Sequence, residues 1–143
     1  MNTKPRRSGN KQPPLATIRI SNLRLRTFIG FNPEEMEKKQ DVVINIAIRY
    51  RLDEAVLEDR VEDALNYKTV TKRVIALVED GRFLLLEKLV ADILGVCSEH
   101  PSVAQASVTV DKPHALRFAD SVSLTLEYEA GAAGNLHLLE KAS

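Results

Sequence analysis

Residues 41–52 read DVVINIAIRYRL, and the fold class turns on this run. Val42, Ile44, Ile46, Ile48 and Tyr50 recur at every second position, with Asn45, Arg49 and Arg51 between them. A period of two puts the first set on one face of a β-strand and the second on the other. Upstream, residues 15–29 alternate in two phases. Ile18 and Ile20 share one face, then Leu23 and Leu25 share one, so the change at Ser21–Asn22 predicts a bulge in a long strand. Residues 30–40, between the two strands, are polar and Glu-rich, which predicts a loop or a helical turn.

Downstream the period lengthens. Residues 69–80 place Val70, Val74, Leu77 and Val78 on one helical face, and residues 83–99 place Leu86, Leu89, Val90, Ile93, Leu94 and Cys97 on another. Gly81 lies between them and suits a helix stop. Alternation then returns: Ala104, Ala106, Val108 and Val110 share a face, as do Val122, Leu124, Leu126 and Tyr128. The order β-β-α-α-β-β predicts an α+β domain, an antiparallel sheet carrying two helices on one face. The open edges of so small a sheet invite pairing with other subunits.

At 143 residues the chain fits one domain, and 44% hydrophobic with 28% charged residues is ordinary for a globular protein with a core. No apolar run approaches the ~18–20 residues of a membrane span, and no signal-type stretch opens the chain. A cytoplasmic protein is expected. Cys97 is the only cysteine, which rules out an intramolecular disulfide and a multi-cysteine zinc site. Lys4, Arg6, Arg7 and Lys11 load the first twelve residues with positive charge, and without them 16 basic face 20 acidic residues. The expected division is a disordered leader over 1–14, one domain over 15–130 and a tail over 131–143. The acidic core and the lack of a stacking motif argue against nucleic acid.

The residues that break the pattern carry the chemistry. Glu87 follows a leucine run; it is either a buried carboxylate that needs a partner or a helix-start acid favoured by the macrodipole. Lys112 closes a strand beside Asp111 and before Pro113, a position that also suits a solvated strand end. Asn66 and Tyr67 precede a helix, where Asn66 or Thr69 can cap it. Glu34, Glu35 and Glu37 form one acidic turn.

Four stretches, FIGFNPEEMEKKQDVVINIAI (28–48), ALNYKTV (64–70), FLLLEKLVADIL (83–94) and VTVDKPHALRFADSVSLTLEY (108–128), together resemble the dihydroneopterin aldolase and epimerase family. The resemblance covers about residues 15–129. It implies the tunnelling fold, whose unit is the same β-β-α-α-β-β, closed into tetrameric rings stacked as a homo-octamer with active sites between subunits. It implies a small pterin substrate and no cofactor or metal. By position, Glu87 would anchor the pterin ring, with Leu86 and Asn66 beside the substrate; Asn66 stands where aldolases often have His. Lys112 would be the catalytic lysine, acting directly or through a water, with Glu35 beside it and Tyr67 supplied by a neighbouring subunit.

Departures from the aldolase pattern point to the epimerase branch. Leu25-Arg26-Thr27-Phe28-Ile29-Gly30 stands where aldolases usually read like Y-G-Y-H-G. LRLRTFIG (23–30) and DKPHALRFADSVS (111–123) resemble the triphosphate epimerases. A triphosphate on an acidic domain needs local cations, and Arg24, Arg26, His114 and Arg117 are the candidates. The expected activity is inversion of carbon 2′ by a retro-aldol and aldol sequence. Aldol cleavage alone and a non-catalytic pterin- or purine-binding oligomer remain alternatives. A zinc cyclohydrolase of the same fold is disfavoured by the single cysteine. A thioimide-forming cysteine is disfavoured because Cys97 sits on an apolar helix stripe.

Overall fold

The computed structural model describes residues 13–132. Most of the expected leader and tail therefore lies outside the described residues. The elements, in chain order, are β1 (Leu15–Ile29), α1 (Pro33–Glu37), β2 (Gln40–Arg51), α2 (Glu54–Leu57), α3 (Tyr67–Glu79), β3 (Arg82–Phe83), α4 (Leu86–Cys97), β4 (Val103–Pro113) and β5 (Ser121–Glu129). The sheet order is β3-β1-β2-β4-β5. The four long strands pair antiparallel, as the alternation predicts. The two-residue β3 adds a parallel edge against Phe28 and Ile29 of β1, so the sheet is mixed. No periodicity can announce a strand of two residues. Among the described residues no helix is long and apolar enough to cross a membrane.

β1 carries its bulge where the phase changes. Its register against β2 shifts between Ile20 and Leu23. Asn22 takes φ 54° there, and its amide donates to Asn45 Oδ1 at 2.9 Å. The extra residue turns the strand over by one side-chain position. Leu23, Leu25, Thr27 and Ile29 then face inward, while Arg24 and Arg26 are exposed on the other face.

Both long helices cover the face that holds Val42, Ile44, Ile46 and Ile48. Val70, Val74 and Val78 of α3 meet Leu89, Val90, Ile93, Leu94 and Cys97 of α4 and Val108 and Val110 of β4 in one core. Each such side chain contributes roughly 1.5–3 kcal/mol by leaving water. One expected core position moves: Val103, not Ala104, is buried, because the β2–β4 register slips between Arg49 and Tyr50. Asn66 caps α3, accepting from the amides of Lys68 at 3.0 Å and Thr69 at 3.3 Å. The Arg73–Glu99 fork, at 2.6 and 3.0 Å, ties α3 to the end of α4; being half exposed, it contributes under about 1 kcal/mol.

Candidate active site

The site begins where β1 runs out of strand. Gly30 adopts φ +125°, a region that side chains with a Cβ rarely enter. Its amide donates to Phe83 O at 2.9 Å, which joins this corner to β3. Asn32 then opens α1 with a reciprocal capping box, and its amide donates to Glu35 Oε1 at 3.3 Å. The box folds the Glu35 carboxylate back over Gly30. A Cβ on Gly30 would lie 2.0 Å from Oε1, so the glycine makes the space the carboxylate fills.

Lys112 reaches this carboxylate from the end of β4. Strand alternation puts it on the same face as the buried Val110, and its Nζ donates to Glu35 Oε2 at 3.2 Å. The pair is largely withdrawn from water, with side-chain exposures of 13% for Lys112 and 25% for Glu35. Burial pushes the Glu35 carboxyl up. The hydrogen bond from Lys112, the Asn32 amide, the Lys112 charge and the Gln40 side chain together outweigh it and hold the group below the ordinary carboxylate range. Glu35 is therefore ionised at neutral pH. The stability this adds is present above the unfolded carboxyl value and is lost as pH falls through the lower folded value.

Glu87 is the second residue of α4 and is exposed, so of its two sequence readings the helix-start acid is the one seen. Leu86 precedes it, half-buried. Phe83, three residues before Leu86, is the β3 partner of Ile29, which sets the start of α4 at the Gly30 corner. Asn66 and Tyr67 lie elsewhere. The far end of α3 is at this corner, because Lys39 Nζ donates to Glu79 O at 3.1 Å. Thirteen residues of helix then carry Tyr67 roughly 18 Å away, where it is 53% exposed. One chain thus brings Lys112 and Glu35 together, sets Leu86 and Glu87 nearby, and leaves Asn66 and Tyr67 at the opposite end.

Three of the four candidate phosphate cations gather. Arg24, Arg26, Asp41, Pro113 and His114 line an open cleft of about 350 Å³ on the outward face of the sheet. Arg26 is committed within it, to Asp41 Oδ1 at 3.3 Å and Lys39 O at 2.9 Å. Arg117 stands outside, its guanidinium 5.5 Å from the ring of the fully exposed Phe118. Sequence reading missed Gly30, Asn32 and Gln40 as supports of Glu35, although the spacing Asn32-x-x-Glu35 is a capping-box signal.

Cys97 is buried in α4, and burial pushes its thiol up to about 12. Iodoacetamide at neutral pH should therefore leave the native protein unmodified by mass spectrometry and label one site after denaturation. Rapid labelling of the folded protein would restore a nucleophilic cysteine.

The chain has relatives in sequence and fold. The chain matches the family model of FolB, dihydroneopterin aldolase, over residues 18–127. It is 55% identical over 116 residues to the dihydroneopterin triphosphate 2′-epimerase of Escherichia coli, covering 81% of this chain and 97% of that one. It is 54% identical over 115 residues to the enzyme of the same name from Pseudomonas aeruginosa, covering 80% and 94%. The crystal structure of E. coli dihydroneopterin aldolase in complex with neopterin superposes with a TM-score of 0.72 at 25% identity, covering 79% of this chain and 98% of that one. The similarity runs along nearly the whole described chain, which belongs to the dihydroneopterin aldolase family.

Proposed function

We propose that this chain epimerises 7,8-dihydroneopterin 3′-triphosphate at carbon 2′ to give dihydromonapterin triphosphate. The observation that carries the reading is the Lys112–Glu35 pair, a part-buried amine and carboxylate in contact at 3.2 Å. High identity to two triphosphate epimerases, against 25% to the aldolase structure, favours this branch.

The chemistry follows from the substrate. A dihydropterin carries a ring C=N bond next to the side chain, and this imine accepts the electron pair released when the bond between carbons 1′ and 2′ breaks. No Schiff-base lysine is needed. Lys112 takes the proton of the 2′-hydroxyl, directly or through a water, and the bond opens to an enamine and an aldehyde. Glu35 fixes the amine in position. The aldehyde turns, the enamine attacks its other face, and the proton returns to the new alkoxide. Glu87 anchors the ring through hydrogen bonds from the aminopyrimidine, a charge-assisted arrangement, with Leu86 at its edge and Asn66, like Tyr67, brought by a neighbouring subunit.

Tyr67 enters from a neighbouring subunit in this reading, because its own chain holds it a helix length from Lys112. A closed ring of subunits, stacked as an octamer, supplies that neighbour and covers the open edges of β1 and β5. No metal or organic cofactor takes part.

The test is product analysis. The pure protein is incubated with dihydroneopterin triphosphate and, separately, with dihydroneopterin, and the oxidised products are separated by chromatography. Monapterin formed faster from the triphosphate is the expected result. Glycolaldehyde and hydroxymethylpterin as the main products would make the chain an aldolase. Binding without turnover would leave the non-catalytic oligomer.

A further inference from the structure

The bulge at Ser21–Asn22 has a chemical effect as well as a geometric one. Without the extra residue, Arg24 and Arg26 would point into the core, and with it they stand on the outward face with Phe28. The cations of this band differ in how they are engaged. Arg82 lies 3.9 Å from the Phe28 ring centroid and donates to Met36 O at 3.2 Å. Lys39 lies 5.9 Å from the same ring and donates to Glu79 O. Arg26 is held by Asp41 and Lys39 O. Arg24 alone in the band has no side-chain hydrogen bond or ion pair among the described residues. In its own cross-strand row the neighbours are Val43 and then Asp111, two strands away, whose carboxylate accepts from Ser121 Oγ at 2.9 Å.

His114 lines the same cleft as Arg24, without a partner for its ring among the described residues. Pro113 joins the two halves of the site. It follows Lys112 directly, lines the cleft and precedes His114, so a substrate side chain leaving Lys112 and crossing this one strand end enters the cleft.

We infer that the Arg24–His114 cleft is the subsite for the polyphosphate tail, and that Arg24 is the residue that selects a triphosphorylated pterin over an unphosphorylated one. The inference rests on the epimerase reading and adds to it a division among the cations. Arg26 and Arg82 already hold protein groups and set the positive field, while Arg24 offers an unused guanidinium fork to phosphate oxygens. Arg117, outside the cleft, takes no part.

The experiment compares Arg24→Gln with Arg19→Gln. Arg19 is exposed on the same strand ahead of the bulge and lies outside this cleft, so its loss removes the same charge. A charge-assisted hydrogen bond gives about 10- to 100-fold. Arg24→Gln should lower the preference for triphosphate over unphosphorylated dihydroneopterin, in kcat/KM, by that factor, and Arg19→Gln should stay within about twofold. Calorimetric titration with inorganic tripolyphosphate should show the same ranking. Equal losses in the two variants, or an unchanged preference in Arg24→Gln, would overturn the assignment. If the wild type turns over neither pterin, the epimerase reading fails, and the tripolyphosphate titration still decides whether Arg24 holds a polyphosphate.

Discussion

Lys112→Ala should lower turnover of dihydroneopterin triphosphate by roughly 10²–10⁴-fold, the usual contribution of a positioned general acid or base. The elution position on size-exclusion chromatography should be unchanged. The substitution also has a signature in stability. It removes both the hydrogen bond and the charge that hold the Glu35 carboxyl down, leaving burial opposed only by the Asn32 amide and Gln40. The carboxyl then rises toward or beyond its ordinary value. In the wild type the lowered value stabilises the fold above the unfolded carboxyl pKa, and that advantage is lost as pH falls through the folded one. The stability gap between the two proteins should therefore be widest near neutral pH and close on acidification, as read from urea midpoints across pH 7 to 4. Wild-type-like turnover in Lys112→Ala would remove the lysine from the mechanism. A gap that does not change with pH would show that the pair is not coupled.

The fold was legible in the sequence wherever burial is one-sided. Val42 to Ile48 had to alternate because one face of β2 lies under two helices and the other does not. The bulge was legible for the same reason, since two phases of alternation cannot share one straight strand. What escaped lay below the length of a period: β3 has two residues, and the slip at Ala104 exchanges one small apolar side chain for its neighbour. The site was legible only in part, and only by resemblance. Glu35 looked like one of three acids in a turn, and nothing in its spacing says that it meets Lys112, 77 positions away. The contact exists because β1 and β4 end at the same edge of the core with β2 between them. Tyr67 shows the converse, since under the proposed action in trans it would leave no mark on the contacts of its own chain.

Gly30→Ala should damage the site as much as changing a reacting group, although Gly30 carries no chemistry. Two costs coincide there. A residue with a Cβ at φ +125° is strained by about 1–3 kcal/mol. The new methyl would also overlap Glu35 Oε1, Cδ and Oε2 at 2.0, 2.3 and 2.7 Å. The overlapped atoms are the end of a flexible side chain, so the carboxylate swings away while the backbone stays. That motion breaks the contact with Lys112 and opens the capping box that holds α1. The expected result is a fold that persists with a lower melting temperature and a turnover reduced by about 10²-fold or more. Glu35→Ala separates the two costs. With the carboxylate absent, adding Gly30→Ala should still lower stability through the backbone but should reduce turnover little further, a non-additivity that a double-mutant cycle measures directly. Additive losses of turnover would mean that Gly30 acts on the site by some route other than Glu35. An unchanged melting temperature in Gly30→Ala would mean that this corner relaxes without strain.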